Sequence, residues 1–215
     1  MSTRRPVHLP VPEAALDHLR RADPVMGALV DQVGPIDLTT EPDLWWSLVD
    51  AIVAQQLSVK AAATIAGRVA ALGADGRPTP AEVLATDDEV LRAAGLSRAK
   101  ARYVKDLAQR WLDGSLRHAL IPTLPDDEVI AELTQVKGIG VWTAEMILIF
   151  TLARPDVLPV DDLGVRVAAQ RVYGLPGRPG RDELLRLGEP WRPWRTIASR
   201  YLWKSLQNTP AIAPP

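Results

Sequence analysis

Two adjacent carboxylates, Asp161 and Asp162, stand at the start of a predicted helix in the stretch "LPVDDLGVRVAAQRV". Asp162 is well placed as an N-cap, where a side-chain oxygen accepts hydrogen bonds from backbone N–H groups of the first turn. A carboxylate held by such N–H groups and by the helix dipole stays ionised and fixed in direction. The position therefore offers either a plain helix cap or a fixed anion that stabilises a cation developing on a substrate.

The segment "VKGIGVWTAEMILIF", residues 136–150, places two glycines around one isoleucine just before a predicted helix. Gly138 and Gly140 permit backbone angles that other residues resist, which predicts a tight turn after the helix "DDEVIAELTQ". N–H groups at the start of the second helix can then bind a phosphate oxygen, and backbone carbonyls of the turn can hold a monovalent cation. The cation hypothesis uses the carbonyls of Thr134, Val136 and Ile139. A plain helical hairpin explains the same glycine pattern.

Positive charge is concentrated in two segments, although the formal net charge of the chain is −1. Residues 163–204 carry nine Lys or Arg side chains against three acids, and residues 98–117 carry six against two. Such segments are compatible with a face that binds a phosphate backbone. Solvated helix faces produce the same pattern.

Composition excludes several kinds of site. The chain contains no cysteine, which rules out disulfides, thiolate catalysis, cysteine-ligated zinc and iron–sulfur clusters. Its 215 residues, 47% of them hydrophobic, suit one compact unit or two small lobes. No apolar run reaches the roughly 20 residues of a membrane span, and the N-terminal stretch lacks the apolar segment of a secretory signal. We therefore expect a soluble cytoplasmic protein.

Apolar residues recur at helical spacing in nearly every segment, for example in "KARYVKDLAQRWLDGSL" and "VRVAAQRVYGL". Breaks fall at Pro and Gly clusters such as "GADGRPTP" and "GLPGRPGRD". The pattern predicts an all-α protein of roughly nine or ten helices joined by short connections. It predicts no convincing strands, and it indicates loose tails at the Pro-rich ends "RRPVHLPVP" and "TPAIAPP".

Taken together, these motifs resemble the helix-hairpin-helix DNA glycosylases, whose signature is a hairpin "LxxxxGIGxxTA", a Gly/Pro-rich loop and an essential aspartate. The corresponding stretch here is "LTQVKGIGVWTAEMILIFTLARPDVLPVDD". Three further segments are similar to the 3-methyladenine DNA glycosylase II branch of alkylation-repair (AlkA-type) enzymes: "AIVAQQLSVKAAATIAGRVAAL", "AAGLSRAKARYVKDLA" and "WRPWRTIASRYLWKSL". The resemblance covers most of residues 40–205.

The resemblance implies a fold of two helical lobes around a DNA-binding cleft, with the hairpin at residues 127–150 and the start of the catalytic helix at 159–166. It implies that residues 1–215 form the compact all-α version, without an extra N-terminal β domain. The implied activity is excision of alkylated purines such as 3-methyladenine and 7-methylguanine from double-stranded DNA. Position 142 holds a tryptophan where bifunctional members carry a lysine nucleophile, which implies a monofunctional enzyme that leaves the strand uncut.

The resemblance also assigns roles to residues. Asp162 takes the catalytic position, with Asp161 as the alternative. Base-pocket side chains are expected at Trp142, Met146 and Trp203, although tryptophan and methionine at helical spacing are also typical of a core. DNA contacts are expected from Gln55, Gln56, Leu57, Ser58, Lys137, Gly138, Ile139, Gly140 and Thr143. Either Gln56 or Leu57 is the wedge that fills the gap left by an extruded base.

Three other functions remain open at the level of sequence, one of which is a helical interaction protein, which would need neither the hairpin and basic faces nor the acid and aromatic pocket. A non-catalytic helix-hairpin-helix module would keep "KGIG" and the basic faces but would need neither the acid at Asp162 nor an aromatic pocket. A glycosylase for another lesion, such as uracil or oxidised guanine, would favour hydrogen-bonding groups over aromatic faces. We expect no required cofactor beyond a possible structural Na⁺ or K⁺ ion at the hairpin, damaged DNA as the partner, no membrane partner, and a monomer.

Overall fold

The computed structural model describes residues 6–207 and divides into two compact units. We call Glu41–Leu152 the hairpin unit, because it contains the glycine hairpin. We call Val7–Thr40 together with the part from Ala153 onward the aspartate unit, because it contains Asp161 and Asp162.

Both units are built mainly from helices, as the sequence predicts. In chain order the α-helices are α1 (Glu13–Ala22), α2 (Pro24–Val33), α3 (Leu44–Ala54), α4 (Val59–Ala70), α5 (Pro80–Ala85), α6 (Asp88–Ala93), α7 (Arg98–Asp113), α8 (Asp126–Leu133), α9 (Val141–Phe150), α10 (Leu163–Val172), α11 (Arg181–Gly188) and α12 (Arg195–Gln207). A short 3₁₀ helix spans Ile121–Thr123. Helices α3 to α9 belong to the hairpin unit and the others to the aspartate unit. Across residues 6–207 no helix is long and apolar enough to cross a bilayer.

The described residues contain twelve α-helices, more than the predicted nine or ten. Part of the difference lies in "AEVLATDDEVLRAAGL", which has one continuous helical pattern but forms the two six-residue helices α5 and α6. The break comes at Asp87, whose side chain accepts a hydrogen bond from Glu89 N at 2.8 Å and so starts a new helix.

Two short strands correct the expectation that strands are absent. β1 (Val7–Pro10) pairs antiparallel with β2 (Asp37–Thr40), with Val7 opposite Thr40. β1 lies inside the Pro-rich stretch that we expected to be a loose tail, while residues 1–5 and the tail "TPAIAPP" lie outside the described part of the chain. β1 has only four residues, ends in a proline and is exposed throughout, so its sequence is too short to identify a strand, and it forms by pairing with a distant segment.

The core of the aspartate unit surrounds a buried carboxylate. Asp23 Oδ1 accepts hydrogen bonds from Val25 N and Met26 N at the start of α2, and Oδ2 accepts from the Tyr173 hydroxyl and from Trp191 Nε1. Burial, and then the hydrogen bond to Asp23, raise the pKa of Tyr173, so its hydroxyl remains a donor. This network joins α2 to the C-terminal end of α10 and to the segment before α12.

Tyr173→Phe is expected to destabilise the protein by about 1–2 kcal/mol, because Asp23 loses one of four hydrogen-bond donors inside the core. Urea denaturation of the purified variant measures this value. Tyr103→Phe is the control, since no hydrogen bond from the Tyr103 hydroxyl occurs among the described residues, and it should change stability by less than about 0.5 kcal/mol. Equal effects of the two substitutions would contradict the role given to the Asp23 network.

Candidate active site

Asp162 caps α10, as its position in the sequence predicts. Its Oδ1 accepts a hydrogen bond from Val165 N at 2.8 Å, and the residue is 9% exposed. The carboxylate therefore lies at the positive end of the helix dipole, in a largely desolvated position where ionic interactions are stronger than in water. The geometry fixes the direction of the carboxylate.

Trp203 supplies a second hydrogen bond to the same oxygen. Trp203 Nε1 donates to Asp162 Oδ1 at 2.8 Å, which connects α12 to the first turn of α10. Gly164 leaves room for this approach, because a Cβ at that position would lie only 3.0 Å from Trp203 Cδ1 and 3.1 Å from Asp162 Oδ1, and the indole would have to move by a few tenths of an ångström. We predicted Trp203 as a base-pocket residue, and its donation to the carboxylate is a role that the sequence did not indicate.

Asp161 differs from its neighbour in both exposure and partner. It forms an ion pair with Arg181 at 2.8 Å, and both side chains are 59% exposed. An exposed pair of this kind is screened by water and holds its carboxylate weakly. Of the two candidate acids, only Asp162 is both buried and fixed by N–H donors.

The loop before Asp162, which contains two prolines and no glycine, is anchored to the start of α12. Arg195 Nε donates to Asp156 Oδ1 at 2.7 Å, and Arg195 Nη2 donates to the Asp156 carbonyl at 2.7 Å. Thr196 Oγ1 donates to Arg154 O at 2.6 Å and accepts from Val157 N at 3.0 Å. No local pattern in the sequence indicates these anchors, although "WRPWRTIASRYLW" contains the residues that bind the loop.

The glycine hairpin connects α8 to α9 through the tight turn that the sequence predicts. Gly138 has a φ of +87°, a conformation that residues with a Cβ adopt only at a cost. A Cβ on Gly138 would also lie 2.3 Å from Cδ2 of Tyr103, so this glycine allows the turn to rest on the aromatic ring. Gly140 is the N-cap of α9 and has no side chain to cover the first N–H groups of that helix.

Two of the residues predicted to contact DNA have buried side chains, whereas the side chain of Lys137 is 71% exposed. Thr143 and Ile139 are 6% and 4% exposed, so any contact that they make falls to the backbone. Lys137 donates its backbone N–H to Asp106 Oδ2 at 3.2 Å, and its ammonium lies 3.5 Å from Asp106 Oδ1. Partial burial by itself raises the pKa of Asp106, but hydrogen bonds from Lys137 and Arg110 outweigh it and lower the pKa, so the carboxylate stays ionised under the hairpin.

Trp142 and Met146 lie one turn apart on α9 and are not core residues. Trp142 is 46% exposed and Met146 is half-buried, whereas the residues between them are buried. This exposure favours a binding role over the alternative of core packing. These two side chains belong to the hairpin unit, and Asp162 and Trp203 belong to the aspartate unit.

The segment between α3 and α4, residues 55–58, is the predicted wedge loop. Gln56 has a φ of +56°, which is uncommon for a residue with a side chain, and Leu57 is 37% exposed. Ser58 caps α4 by accepting a hydrogen bond from Ala61 N at 3.3 Å, and Gln55 Nε2 donates to Gly138 O at 2.6 Å. Gln55 and Ser58 therefore shape the loop, while Gln56 and Leu57 are both exposed and both remain wedge candidates.

Many of the basic side chains in the two positive segments already have partners. Arg192 and Arg195 bind Asp156, and Arg200 donates to the carbonyl of Asp37. On α7, Lys105 pairs with Asp88 and Arg110 pairs with Asp106. The count of charges along the sequence therefore overstates the positive charge that these segments can offer to a polyanion.

Comparison with known proteins identifies the family. Residues 49–193 match the profile of the HhH-GPD superfamily base excision DNA repair proteins, a range that contains the hairpin and Asp162. The chain belongs to the HhH-GPD superfamily. Among curated relatives, this HhH-GPD protein is 38% identical over 198 residues to Schizosaccharomyces pombe DNA-3-methyladenine glycosylase 1, covering 87% of this chain and 85% of the relative.

Two solved structures share the fold over nearly their whole length. One is S. pombe 3-methyladenine DNA glycosylase in complex with abasic DNA, with a TM-score of 0.81 and 37% identity over 90% of this chain and 97% of the other. The second is DNA-3-methyladenine glycosidase from Bacillus halodurans, with a TM-score of 0.84 and 35% identity over 94% and 93%. The helical fold of this HhH-GPD protein is therefore that of a known group of glycosylases.

Proposed function

We propose that this protein is a monofunctional DNA glycosylase that excises alkylated purines from double-stranded DNA in base excision repair. The observation that carries the proposal is the Asp162 carboxylate, buried and held by Val165 N and Trp203 Nε1. A non-catalytic module has no need for such an acid. The names of its relatives, DNA-3-methyladenine glycosylases from yeast and bacteria, support alkylated bases as the substrate class.

In the proposed reaction the glycosidic C–N bond breaks and its electron pair leaves with the base. A purine alkylated at N3 or N7 already carries a positive charge, so it departs as a neutral molecule and needs no strong acid catalyst. The sugar acquires the character of an oxocarbenium ion, which the fixed Asp162 carboxylate stabilises. Water adds to the sugar carbon and releases its proton to solvent, which leaves an abasic site.

Trp142 supports the monofunctional assignment. By the resemblance described above, a bifunctional member carries a lysine at this position, and that lysine attacks the sugar and leads to strand cleavage. The indole of Trp142 has no nucleophilic amine, so water is the nucleophile. We further propose that Trp142 and Met146 contact the damaged base, because a tryptophan face attracts a cationic purine.

Trp203→Phe should reduce single-turnover base release by about 10-fold to 100-fold, the cost of losing one hydrogen bond to a charged group that must stay aligned. Phenylalanine keeps an aromatic ring at the position but removes the indole N–H that holds Asp162 Oδ1. Measurement at saturating enzyme separates this loss from weaker DNA binding. Unchanged release by the variant would contradict the positioning role of Trp203.

Two finer assignments are also proposals. We propose that the carbonyls of Thr134, Val136 and Ile139 in the hairpin turn would hold a monovalent cation, which would supply positive charge for binding a DNA phosphate. Among these, Val136 O accepts one hydrogen bond, from Ile139 N, and a carbonyl has a second lone pair for an ion. DNA affinity at constant ionic strength should then be higher in K⁺ or Na⁺ than in tetramethylammonium.

We also propose that the enzyme acts as a monomer, which light scattering tests.

The experiment that tests the substrate assignment is identification of the free bases released from methylated duplex DNA. Mass spectrometry of the soluble fraction should detect 3-methyladenine or 7-methylguanine after incubation with the enzyme. Parallel duplexes containing uracil or 8-oxoguanine should release far less base, since their lesions are neutral. Release from these duplexes without release of methylpurines would assign the protein to another lesion.

A further inference from the structure

The ammonium of Lys100 on α7 binds the backbone at the C-terminal end of α3. Lys100 Nζ donates to Val53 O at 2.8 Å and to Gln55 O at 2.6 Å. The side chain is partly buried, and desolvation lowers its pKa. A positive charge at this place also interacts favourably with the negative end of the α3 dipole. Lys100 thus turns its charge toward the protein backbone, although it lies in the basic segment at residues 98–117.

The backbone that Lys100 holds leads directly into the wedge loop. Gln55 is the C-cap of α3, and Gln56 follows in the left-handed conformation with a φ of +56°. Such a conformation persists only where its surroundings determine it. Here the loop is fixed on one side by the Lys100 ammonium and on the other by the Ser58 cap on α4.

The same face of α7 also supports the glycine hairpin. Tyr103, three residues after Lys100, lies against Gly138, and Asp106, three residues further, accepts a hydrogen bond from Lys137 N. Residues at this spacing share one side of a helix. The Gln55 side chain links the wedge loop directly to the hairpin, because its Nε2 donates a hydrogen bond to Gly138 O. One face of α7 therefore contacts both the wedge loop and the glycine hairpin, the two segments that we expect to bind DNA.

We propose that Lys100 is a positioning residue for base extrusion, which acts by fixing the wedge loop to α7 and makes no contact with a DNA phosphate. This inference rests on the proposed glycosylase activity. Two of the three donors of its ammonium are used on Val53 O and Gln55 O. A loosened loop would still let DNA bind, but it would fill the vacated stack poorly and so lower the population of the extruded base.

Single-turnover base release from two substrates tests this role. Lys100→Met keeps the apolar stem but removes the donors. On a fully paired duplex with one alkylated purine, we expect a loss of about 10-fold to 100-fold. On the same strand without its complement, where extrusion costs little, the loss should be less than about 3-fold. Arg92→Met is the matched control, because it removes one surface charge that pairs only with Glu89 among the described residues, and it should behave as wild type on both substrates.

The salt dependence of duplex binding separates the proposal from a phosphate contact. Removal of a phosphate contact lowers the slope of log affinity against log salt by about one, whereas Lys100→Met should leave the slope unchanged. A reduced slope, or equal losses on the paired and single-stranded substrates, or no loss on either, would overturn the inference. If Lys100→Met does not fold, Lys100→Gln, which keeps one donor, takes its place under the same criteria. Absence of release by the wild type would instead overturn the proposed function itself, and this inference with it.

Discussion

Asp162→Asn is expected to lower single-turnover release of alkylated purines by about 10³-fold, since it removes the charge that stabilises the sugar cation in the proposed mechanism. The substitution is nearly isosteric. An amide oxygen can still accept the hydrogen bonds from Val165 N and Trp203 Nε1, so the cap of α10 and the surrounding packing should persist. The variant should therefore bind duplex DNA containing an abasic-site analogue nearly as well as the wild type.

Asp161→Asn is the matched control for this experiment, because it removes the same charge one residue away. Asp161 is exposed and pairs with Arg181, so its loss should change base release by less than about 3-fold. If Asp161→Asn were the inactive variant, the catalytic role would shift to the other carboxylate. If Asp162→Asn kept activity within about 10-fold of the wild type, the proposed mechanism would be wrong.

Gly138→Ala is expected to destabilise the protein by about 2–5 kcal/mol. The left-handed φ of +87° costs an alanine about 1–2 kcal/mol, and the overlap of its Cβ with the Tyr103 ring adds about 1–3 kcal/mol. In a protein of this size such a change should lower Tm by roughly 4–20 °C, which differential scanning calorimetry measures. We also expect weaker duplex binding, because the displaced turn no longer presents the first N–H groups of α9.

Gly140→Ala provides the comparison within the same turn. Gly140 has a φ of −97°, and a Cβ there would meet nothing within 4 Å, so its substitution should cost less than about 1 kcal/mol. A Gly140→Ala protein as unstable as Gly138→Ala would show that the turn does not depend on the Gly138 conformation. If Gly140→Ala bound DNA more weakly at an unchanged Tm, the result would indicate that a DNA phosphate lies close to Gly140.

Local patterns in the sequence predicted a large part of this fold. Helical periodicity indicated an all-α protein, the glycine pattern indicated the α8–α9 turn, and "VDDLG" indicated the cap at Asp162. These features depend on residues close together in the chain, where capping and turn chemistry act. The resemblance of the quoted motifs added the glycosylase family, which the comparisons confirmed.

Features that depend on distant residues could not be predicted in this way. The strands Val7–Pro10 and Asp37–Thr40 have four residues each, too few for a periodic pattern to identify them. The hydrogen bond from Trp203 to Asp162 joins residues 41 positions apart, and the link from Lys100 to Gln55 joins residues 45 apart. A count of charges likewise cannot show that Arg195 is neutralised by Asp156 or that Lys100 faces the backbone. All of these contacts form only when the chain has packed into its tertiary structure.

The fate of the DNA strand distinguishes hydrolysis by water from attack on the sugar by an amine of the enzyme. A duplex with a single alkylated purine and a labelled strand should be incubated with excess enzyme and analysed on a denaturing gel before and after hot alkali. If water attacks a sugar cation that Asp162 stabilises, the products are free base and an intact strand, which breaks only after alkali. A strand already cut before alkali, with an enzyme–DNA adduct trapped by borohydride, would contradict the proposed hydrolysis by water.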